Sequence, residues 1–335
     1  MSARKIVVTG GAGFIGSHLT ERLLGEGHEV HVLDDFSTGR AANLAHLGDS
    51  GRLHVHEVDV SSFDRVRPLV RGAAHVYHLA ALADIVPSIE QPLEYTRANV
   101  DGTIAMLEAA RLEGVERFVY TASSSCYGIA EQLPTPESEP CRPQYPYALT
   151  KYMGEQAVMH WSQVYGLPTI ALRLFNVYGP RSRTNGTYGA MFGIFLAQKL
   201  AGRPFTVVGD GTQSRDFTFV TDVVDAFVRA GASSLSGVAF NVGTGKPTSV
   251  NRIVEILGGE VVHVPKRPGE PDCTHADATA IASALGWHAQ VSIEDGIARL
   301  LTHIEDWRQA PVWTPSSIAE ATSSWFRHLG RGHDA

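Results

Sequence analysis

Tyr147 and Lys151 lie four residues apart in the run Tyr147-Ala148-Leu149-Thr150-Lys151, and Ser123 precedes the tyrosine by 24 residues. On a helix, side chains at i and i+4 share a face, so this spacing lays an ammonium beside a phenol. A free tyrosine has a pKa of about 10 and is a poor base near neutrality. Adjacent positive charge favours the phenolate and makes Tyr147 a usable acid/base. The triplet Ser123-Ser124-Ser125 would by itself read as turn chemistry; it gains meaning from the tyrosine–lysine pair that follows it.

Such a pair needs a scaffold and something to act with, and the N-terminal stretch supplies both. Lys5 to Thr9 is a short β-branched run fit for a buried parallel strand, and Phe14 onward has the apolar spacing of an amphipathic helix. Between them Gly10, Gly13 and Gly16 form a G-x-x-G-x-x-G turn. A glycine turn joining a strand to a helix N-terminus is a phosphate site, because backbone N–H groups and the helix dipole face the anion and missing side chains let it approach. A second strand, His28 to Leu33, ends in Asp34, 18 residues beyond Gly16. A carboxylate there is placed for the adenosine ribose hydroxyls and repels a 2′-phosphate, so the cofactor read from these residues is NAD rather than NADP. An oxidised nicotinamide ring would add a second positive charge beside Tyr147.

Strand and helix signals alternate through the first half, with further strands at Leu53 to Val58, Ala74 to Leu79, Arg117 to Thr121 and Thr169 to Arg173, and helices at Tyr95 to Leu112 and Tyr145 to Tyr165. This is the pattern of an α/β fold, a Rossmann-type doubly wound parallel sheet covered by helices on both faces. Ligands of such sheets bind at the carboxyl ends of the strands. Asp59 sits at one of these ends, for the adenine edge or as a turn or capping residue, and Ala80-Ala81 at another, where small side chains allow close cofactor approach. His78 lies inside a strand and reads as a core histidine. The other histidines are scattered without H-x-x-x-H or Cys/His spacing, so no metal is expected.

The chain of 335 residues is long for one core. Its 44% hydrophobic and 19% charged content are those of a globular protein, and a net charge of −7 without a Lys/Arg run argues against nucleic acid. Cys126, Cys141 and Cys273 are an odd number without metal-type spacing, which suits free thiols in a reducing compartment. With four residues ahead of the first strand and no apolar run of the roughly 18 residues a membrane helix needs, the expectation is a cytoplasmic protein with no membrane partner.

Taken together, TGGAGFIG, LDDFSTG, HLAA, the Ser123 loop, YALTK, LRLFNVYGPR, GDGTQSRDFTFVTDV, FNVGTG and KRPGE resemble an extended short-chain dehydrogenase/reductase of the NAD-dependent sugar-nucleotide epimerase/dehydratase family, over about residues 4 to 305. The resemblance implies that Tyr147 is the acid/base, Ser123 its hydroxyl partner, with Ser124 as the alternative, and Lys151 the ligand of the nicotinamide ribose. It assigns the cofactor to Gly10, Gly13, Phe14, Ile15 and Gly16, to Asp34, Asp35, Ser37 and Thr38, to Asp59 and Val60, to Leu79, Ala80 and Ala81, and to Asn99.

On the substrate side it implies that Asn176, Arg215, Arg267 and Glu270 hold a nucleotide diphosphate and its ribose, with Thr206 and Val208 flanking the base. Two guanidinium forks suit a pyrophosphate. Ser88 and Ser124 would reach the sugar, and Arg181 either contacts substrate or pairs across its loop. The implied organisation is a NAD-binding domain over residues 1–175, rejoined by a strand near 238–243, an interleaved smaller α/β substrate domain over 176–309, and a tail over 310–335 that docks as a helix. Its aromatics Trp313, Trp325 and Phe326 suit packing more than function. Helices Tyr95 to Leu112 and Tyr145 to Tyr165 correspond to the family's four-helix dimer interface, so a homodimer is expected.

The loop after Ser123 separates the family's reactions. Sugar-nucleotide 4,6-dehydratases carry T-D-E-x-Y-G there, whereas this chain has Ser124 and Ser125 and no carboxylate. Elimination then lacks its general acid and base. What remains is a 4-epimerase of UDP-hexoses. Pro87 stands where uronate-using relatives commonly have an arginine, and Asp84 would repel a carboxylate. Thr274, four residues beyond Glu270, stands where the UDP-hexose epimerases that the chain resembles have a gate residue beside the sugar's C2 substituent, and it is small, so the resemblance implies that UDP-GlcNAc/UDP-GalNAc is accepted along with UDP-glucose/UDP-galactose. The alternatives are a 4,6-dehydratase, a UDP-glucuronate 4-epimerase or decarboxylase, and a silent NAD-binding scaffold on the same fold.

Overall fold

The computed structural model describes residues 3–48, 50–184 and 190–330; the last five residues of the expected tail lie outside the described residues. In chain order the first half contains β1 (Lys5–Thr9), α1 (Phe14–Gly25), β2 (Glu29–Asp34), β3 (Leu53–Glu57), α2 (Phe63–Val70), β4 (His75–His78), α3 (Ile85–Glu90), α4 (Pro92–Thr96), α5 (Gly102–Leu112), β5 (Arg117–Ser123), α6 (Pro146–Tyr165) and β6 (Thr169–Leu174). The second half contains β7 (Asn176–Tyr178), α7 (Met191–Leu200), β8 (Phe205–Val208), β9 (Ser214–Arg215), β10 (Phe217–Phe219), α8 (Val220–Ala232), β11 (Val238–Val242), β12 (Thr248–Ser249), α9 (Val250–Leu257), β13 (Val261–Val264), α10 (Thr279–Leu285), α11 (Ile293–Leu301), α12 (Pro315–Ala321) and α13 (Ser323–Leu329).

Seven strands form one sheet in the order β11-β6-β5-β4-β1-β2-β3, and every pairing in it is parallel. Both faces are buried, which is why β1 and β6 read as near-continuous apolar runs rather than alternating ones. One core, with Val8, Leu19 and Phe227, lies on one face under α1 and α8; the other, with Val7, Val66 and Phe118, lies under α2 and α5. The strand order reverses between β1 and β4, and the crevice of a doubly wound sheet opens at such a point.

Two local features position the site. A Cβ on Gly16 would come 2.1 Å from the Gly10 carbonyl oxygen, so only glycine lets α1 start this close against the turn after β1. A Cβ on Gly154 would come 2.3 Å from the Tyr120 hydroxyl, and its absence lets α6 lie against β5. The helix expected over Tyr95 to Leu112 is instead α4, a π-helical turn at Arg97–Asp101, and α5. The widened turn turns Asn99 inward, where its amide meets the chain after β4; π-bulges of this sort recur next to functional sites.

The second lobe is built on three two-stranded ladders, β7 with β10, β12 with β9, and β13 with β8, around a separate aromatic-rich core of Phe192, Phe205, Phe217 and Trp307. The C-terminal segment forms two short helices rather than one. Its Trp313 and Ile318 pack on this lobe, and α13 lies against α3 of the first.

Candidate functional site

A cleft of about 870 Å³ runs along the carboxyl ends of the strands and between the two lobes. Tyr147 enters it from the first turn of α6, where Pro146 occupies a position that needs no intrahelical N–H donor. Ser123 is the last residue of β5, in extended conformation and paired in register with Leu174, rather than part of a loop. Its hydroxyl lies 2.7 Å from the Ser125 hydroxyl and near enough to the Tyr147 phenol to favour the phenolate. Ser124 lines the same cleft.

The serine turn is braced from behind. Arg173 Nη2 and Nε donate to Glu155 at 2.6 and 2.9 Å, Arg173 Nη1 donates to the Tyr127 hydroxyl at 2.8 Å, and that hydroxyl donates to Asn241 Oδ1 at 2.7 Å. A buried ion pair whose remaining donors are satisfied in this way is costly to break by removing one partner. Cys126, within the turn, is buried with its sulfur 3.5 Å from that of Cys141.

Burial pushes the Tyr147 phenol above its ordinary value; the Ser123 hydrogen bond opposes this, and the nearby Asp84 charge adds to it. Lys151 is 3% exposed. Its Nζ sits over the Tyr120 ring, 4.4 Å from the centroid, and burial pulls the ammonium down to about 7, with Glu155 opposing. His78 is fully buried between the hydroxyls of Thr9 and Thr103, at 2.7 and 3.0 Å, and burial holds it neutral.

At the cofactor end, Gly10, Gly13, Phe14, Ile15 and Gly16 line the cleft, as do Ser37, Thr38, Val60, Leu79, Ala80 and Ala81. Gly13 is the N-cap of α1 and offers the turn no side chain. The donor set fits a dinucleotide: a glycine-lined helix N-terminus for the pyrophosphate and carboxylates at the tips of β2 and β3 for the ribose and adenine. These carboxylates also hold the fold. Asp34 accepts from the backbone N–H of Ala12 and Phe36, both at 2.9 Å, so it ties the glycine turn to the tip of β2. Asp35 accepts from Ser37, while Asp59 takes the turn and ion-pair role through Ser61 and Arg97; both carboxylates still face the cleft.

Two expected residues are not in the cleft lining. Asn99 is 1% exposed. Its amide accepts from Leu82 N–H at 2.8 Å and donates to the Leu82 carbonyl and the Thr150 hydroxyl, both at 3.0 Å. With both amide N–H groups donated and the oxygen accepting from Leu82, it fixes the segment after β4. Ser88 is fully buried and donates to the Ile85 carbonyl at 2.6 Å, one turn back within α3.

At the substrate end, Arg215 and Arg267 converge on Glu270, at 2.9 and 3.7 Å. One carboxylate thus holds two guanidinium groups on the cleft wall. Thr274 donates to Asn176 Oδ1 at 3.1 Å and accepts from the Asp216 N–H at 3.2 Å, which fixes its side chain on the cleft wall. Thr206 and Val208 line the wall on β8, but the Thr206 hydroxyl is taken by Gln198 at 2.9 Å. Arg181 pairs across its loop with Glu21.

Two cleft residues had no assignment in the sequence, and a third was read there only as packing. Arg183 forms an ion pair with Asp84 over the cleft. The charge that seemed to exclude a carboxylated sugar is therefore balanced. Tyr145 stacks beside Tyr147, ring centroids 6.4 Å apart. Trp325 of α13, 3% exposed, closes the substrate end. Its ring lies 6.2 Å from Tyr145, the Arg267 guanidinium sits 5.4 Å above it, and its Nε1 donates to the Pro268 carbonyl at 2.8 Å. The neighbouring Ser324 donates to Glu90 of α3 at 2.8 Å, so the tail bridges the two lobes across the cleft. The aromatic Tyr145, two residues before Tyr147, was the available signal; nothing local to the tail marks where it docks.

The family model described as the NAD dependent epimerase/dehydratase family matches residues 6–243. The chain is 40% identical over 304 residues to UDP-glucose 4-epimerase of Mycolicibacterium smegmatis, covering 88% of this chain and 96% of that protein. Among solved structures it is similar to UDP-N-acetylglucosamine 4-epimerase from Methanobrevibacter ruminantium in complex with UDP-N-acetylmuramic acid, at TM-score 0.85 and 31% identity, covering 92% of this chain and 98% of that one. It is also similar to UDP-glucuronic acid 4-epimerase from Bacillus cereus in complex with UDP-glucuronic acid and NAD, at TM-score 0.84 and 30% identity, covering 90% and 99%.

Proposed function

The chain belongs to the NAD-dependent epimerase/dehydratase family and is an isomerase using NAD, and from that premise we propose that it interconverts the C4 epimers of UDP-hexoses, both UDP-glucose/UDP-galactose and UDP-GlcNAc/UDP-GalNAc. The observation that carries this reading is the meeting of Ser123, Tyr147 and Lys151 in one cleft with the Arg215–Glu270–Arg267 cluster. The serine turn beside them carries no carboxylate for an elimination.

Tyr147 takes the proton of the sugar 4-hydroxyl, and the Ser123 hydroxyl orients both. Lys151, buried and four residues along the same helix face, supplies the positive charge that makes the phenolate reachable from a raised starting pKa. NAD, when bound, accepts a hydride from C4 and returns it to the opposite face, so the cycle has no net redox change. Arg215 and Arg267 hold the diphosphate while the oxidised sugar turns, and the same phenol returns the proton. Thr274, small and hydrogen-bonded out of the way, leaves room for an N-acetyl group at C2.

The test is to incubate the protein with UDP-glucose and UDP-GlcNAc separately and follow the anomeric protons by NMR. Appearance of both galacto epimers is the expected result; both substrates unchanged after NAD is supplied would overturn the reading. Thr274→Tyr should then suppress turnover of UDP-GlcNAc while sparing UDP-glucose. A UDP-glucuronate arm belongs in the same assay, because Arg183 brings a guanidinium to the cleft that could face a C6 carboxylate.

For the assembly, α5 and α6 expose Ile104, Leu112, Leu149, Met153 and Val164. An apolar strip of this kind on two neighbouring helices supports a homodimer built on that face. A monomer by light scattering at micromolar concentration would remove the claim. No helix among the described residues is long and apolar enough to cross a membrane, and the reading places the enzyme in the cytoplasm with nucleotide sugars as its ligands.

A further inference from the structure

The histidines that look scattered in sequence are not scattered in space. Alternate residues of a strand share one face of a sheet, so Glu29 and His31 of β2 point the same way, as do His54 and His56 of β3. The parallel register sets His31 beside His54, and β3 is the edge of the sheet. Four side chains able to bind a metal therefore share one face of the edge strand β3 and its neighbour β2, with Glu29, His31 and His54 in the amino-terminal part, away from the cleft.

Their geometry is that of three ligands and a support. Glu29 Oε1 lies 2.8 Å from His31 Nε2 and 3.4 Å from His54 Nε2. The three donor atoms all lie within 4.8 Å of one another. A tetrahedral Zn²⁺ with bonds of about 2.0–2.1 Å needs donors about 3.3 Å apart. Glu29 and His54 are 46% and 42% exposed, which leaves them free to close the remaining gap, while His31, at 13%, is held in place. The second ring nitrogen of His31, Nδ1, is 3.0 Å from His56 Nε2, and the two rings stack with centroids 5.3 Å apart. A ligating histidine is usually oriented in this way through its other nitrogen. Lys5, the nearest cation, is drawn off by donating to the Arg71 carbonyl at 2.8 Å.

We propose that Glu29, His31 and His54 form a site for a late first-row divalent cation of the Zn²⁺ class, with His56 positioning His31 and a water completing the shell. Two imidazoles and one carboxylate suit such an ion rather than Mg²⁺ or Ca²⁺, which favour all-oxygen shells. The ion would clip the edge strand β3 to β2. Its role is structural, since β2 and β3 carry Asp34 and Asp59 to the cleft at their far ends.

The experiment uses the full chain, free of any affinity tag and stripped with EDTA, titrated with Zn²⁺ against a chromophoric chelator and with Co²⁺ followed by its visible d–d bands. One equivalent of Zn²⁺ bound per chain, tetrahedral Co²⁺ bands and a Zn²⁺-dependent rise in Tm are expected. All three should be lost in His54→Ala and Glu29→Gln, whose exposed positions keep the metal-free fold intact by circular dichroism, and His56→Gln should weaken binding by about 10- to 100-fold. Equal Zn²⁺ binding in wild type, His54→Ala and Glu29→Gln would overturn the proposal, as would the absence of stoichiometric binding in the wild type. Mg²⁺ producing the same rise in Tm would also overturn the assigned class.

Discussion

The two ends of the cleft are made in different ways. At the cofactor end the lining residues follow directly from the tips of β1, β2, β3 and β4, strands of one continuous sheet with a core on each face. At the substrate end they come from two-residue and four-residue ladders, from an ion-pair cluster around Glu270, and from a tail that returns to meet Tyr145 from 180 positions away in sequence. At the first end the sheet itself carries the site, so removing a side chain changes chemistry first, except at Asp34, which also ties the glycine turn to β2. Removing one at the second end loosens the contacts that hold the lobes together and changes recognition. The same division assigns kcat to one end and KM to the other.

The strongest way to break that division is Tyr147→Phe. Proton transfer by a positioned side chain contributes typically about 10²–10⁴-fold, so kcat should fall by that factor while KM for the UDP-sugar and the amount of bound NAD stay near wild type. Turnover unaffected by the change would remove the mechanism. Next in size is Arg215→Ala. On the proposed function it deletes a charged donor to the diphosphate, and it leaves Glu270 with Arg267; hydrogen bonds to charged groups are worth about 1.5–3 kcal/mol, or about 10- to 150-fold in KM, with kcat changed much less. A fall in kcat at constant KM would mean that Arg215 acts on the reacting sugar instead.

Smaller again is Trp325→Ala. It removes a ring packed on Tyr145 and a cation–π contact with Arg267, each worth about 0.5–1.5 kcal/mol. Only the contact with Arg267 bears on the substrate end, so KM should rise by roughly 2- to 12-fold, and steady-state kinetics beside Trp325→Phe, which keeps an aromatic ring, would separate shape from bulk. If KM does not move, the tail is packing alone.

The two ends also differ in what could be read from sequence. The glycine turn, the acidic tip of β2 and the tyrosine–lysine spacing are local patterns whose geometry is fixed by a strand or a helix, and residues assigned on them line the cleft. Asn99 and Ser88 match motif positions too, yet a motif does not say that an amide also ties Leu82 to Thr150, or that a serine also bonds its own helix. Trp325 and Arg183 depend on long-range docking that no periodicity encodes. Glu29, His31, His54 and His56 were legible only at period two, and only once β2 and β3 were known to be neighbours in register.

A separate effect, on stability rather than on turnover, concerns Lys151, which packs on Tyr120 of the sheet and lines the cleft with Tyr147. Burial lowers its pKa from 10.5 to about 7 in the folded chain without cofactor. Between these values the unfolded chain holds a proton that the folded chain has released, so unfolding takes up a proton and rising pH opposes it. Below about 7 both states are protonated, and the cost of burying the ammonium is felt in full. The contribution of Lys151 to stability should therefore improve from about pH 7 toward pH 10 and be lost again as the pH falls. Lys151→Met removes the titration while keeping the packing, and the remaining groups cancel in the difference between the two proteins. Urea midpoints of the cofactor-free pair should favour the variant most near pH 6 and converge as the pH rises. A difference that is flat with pH would show that Lys151 stays charged throughout, held by Glu155 and the Tyr120 ring.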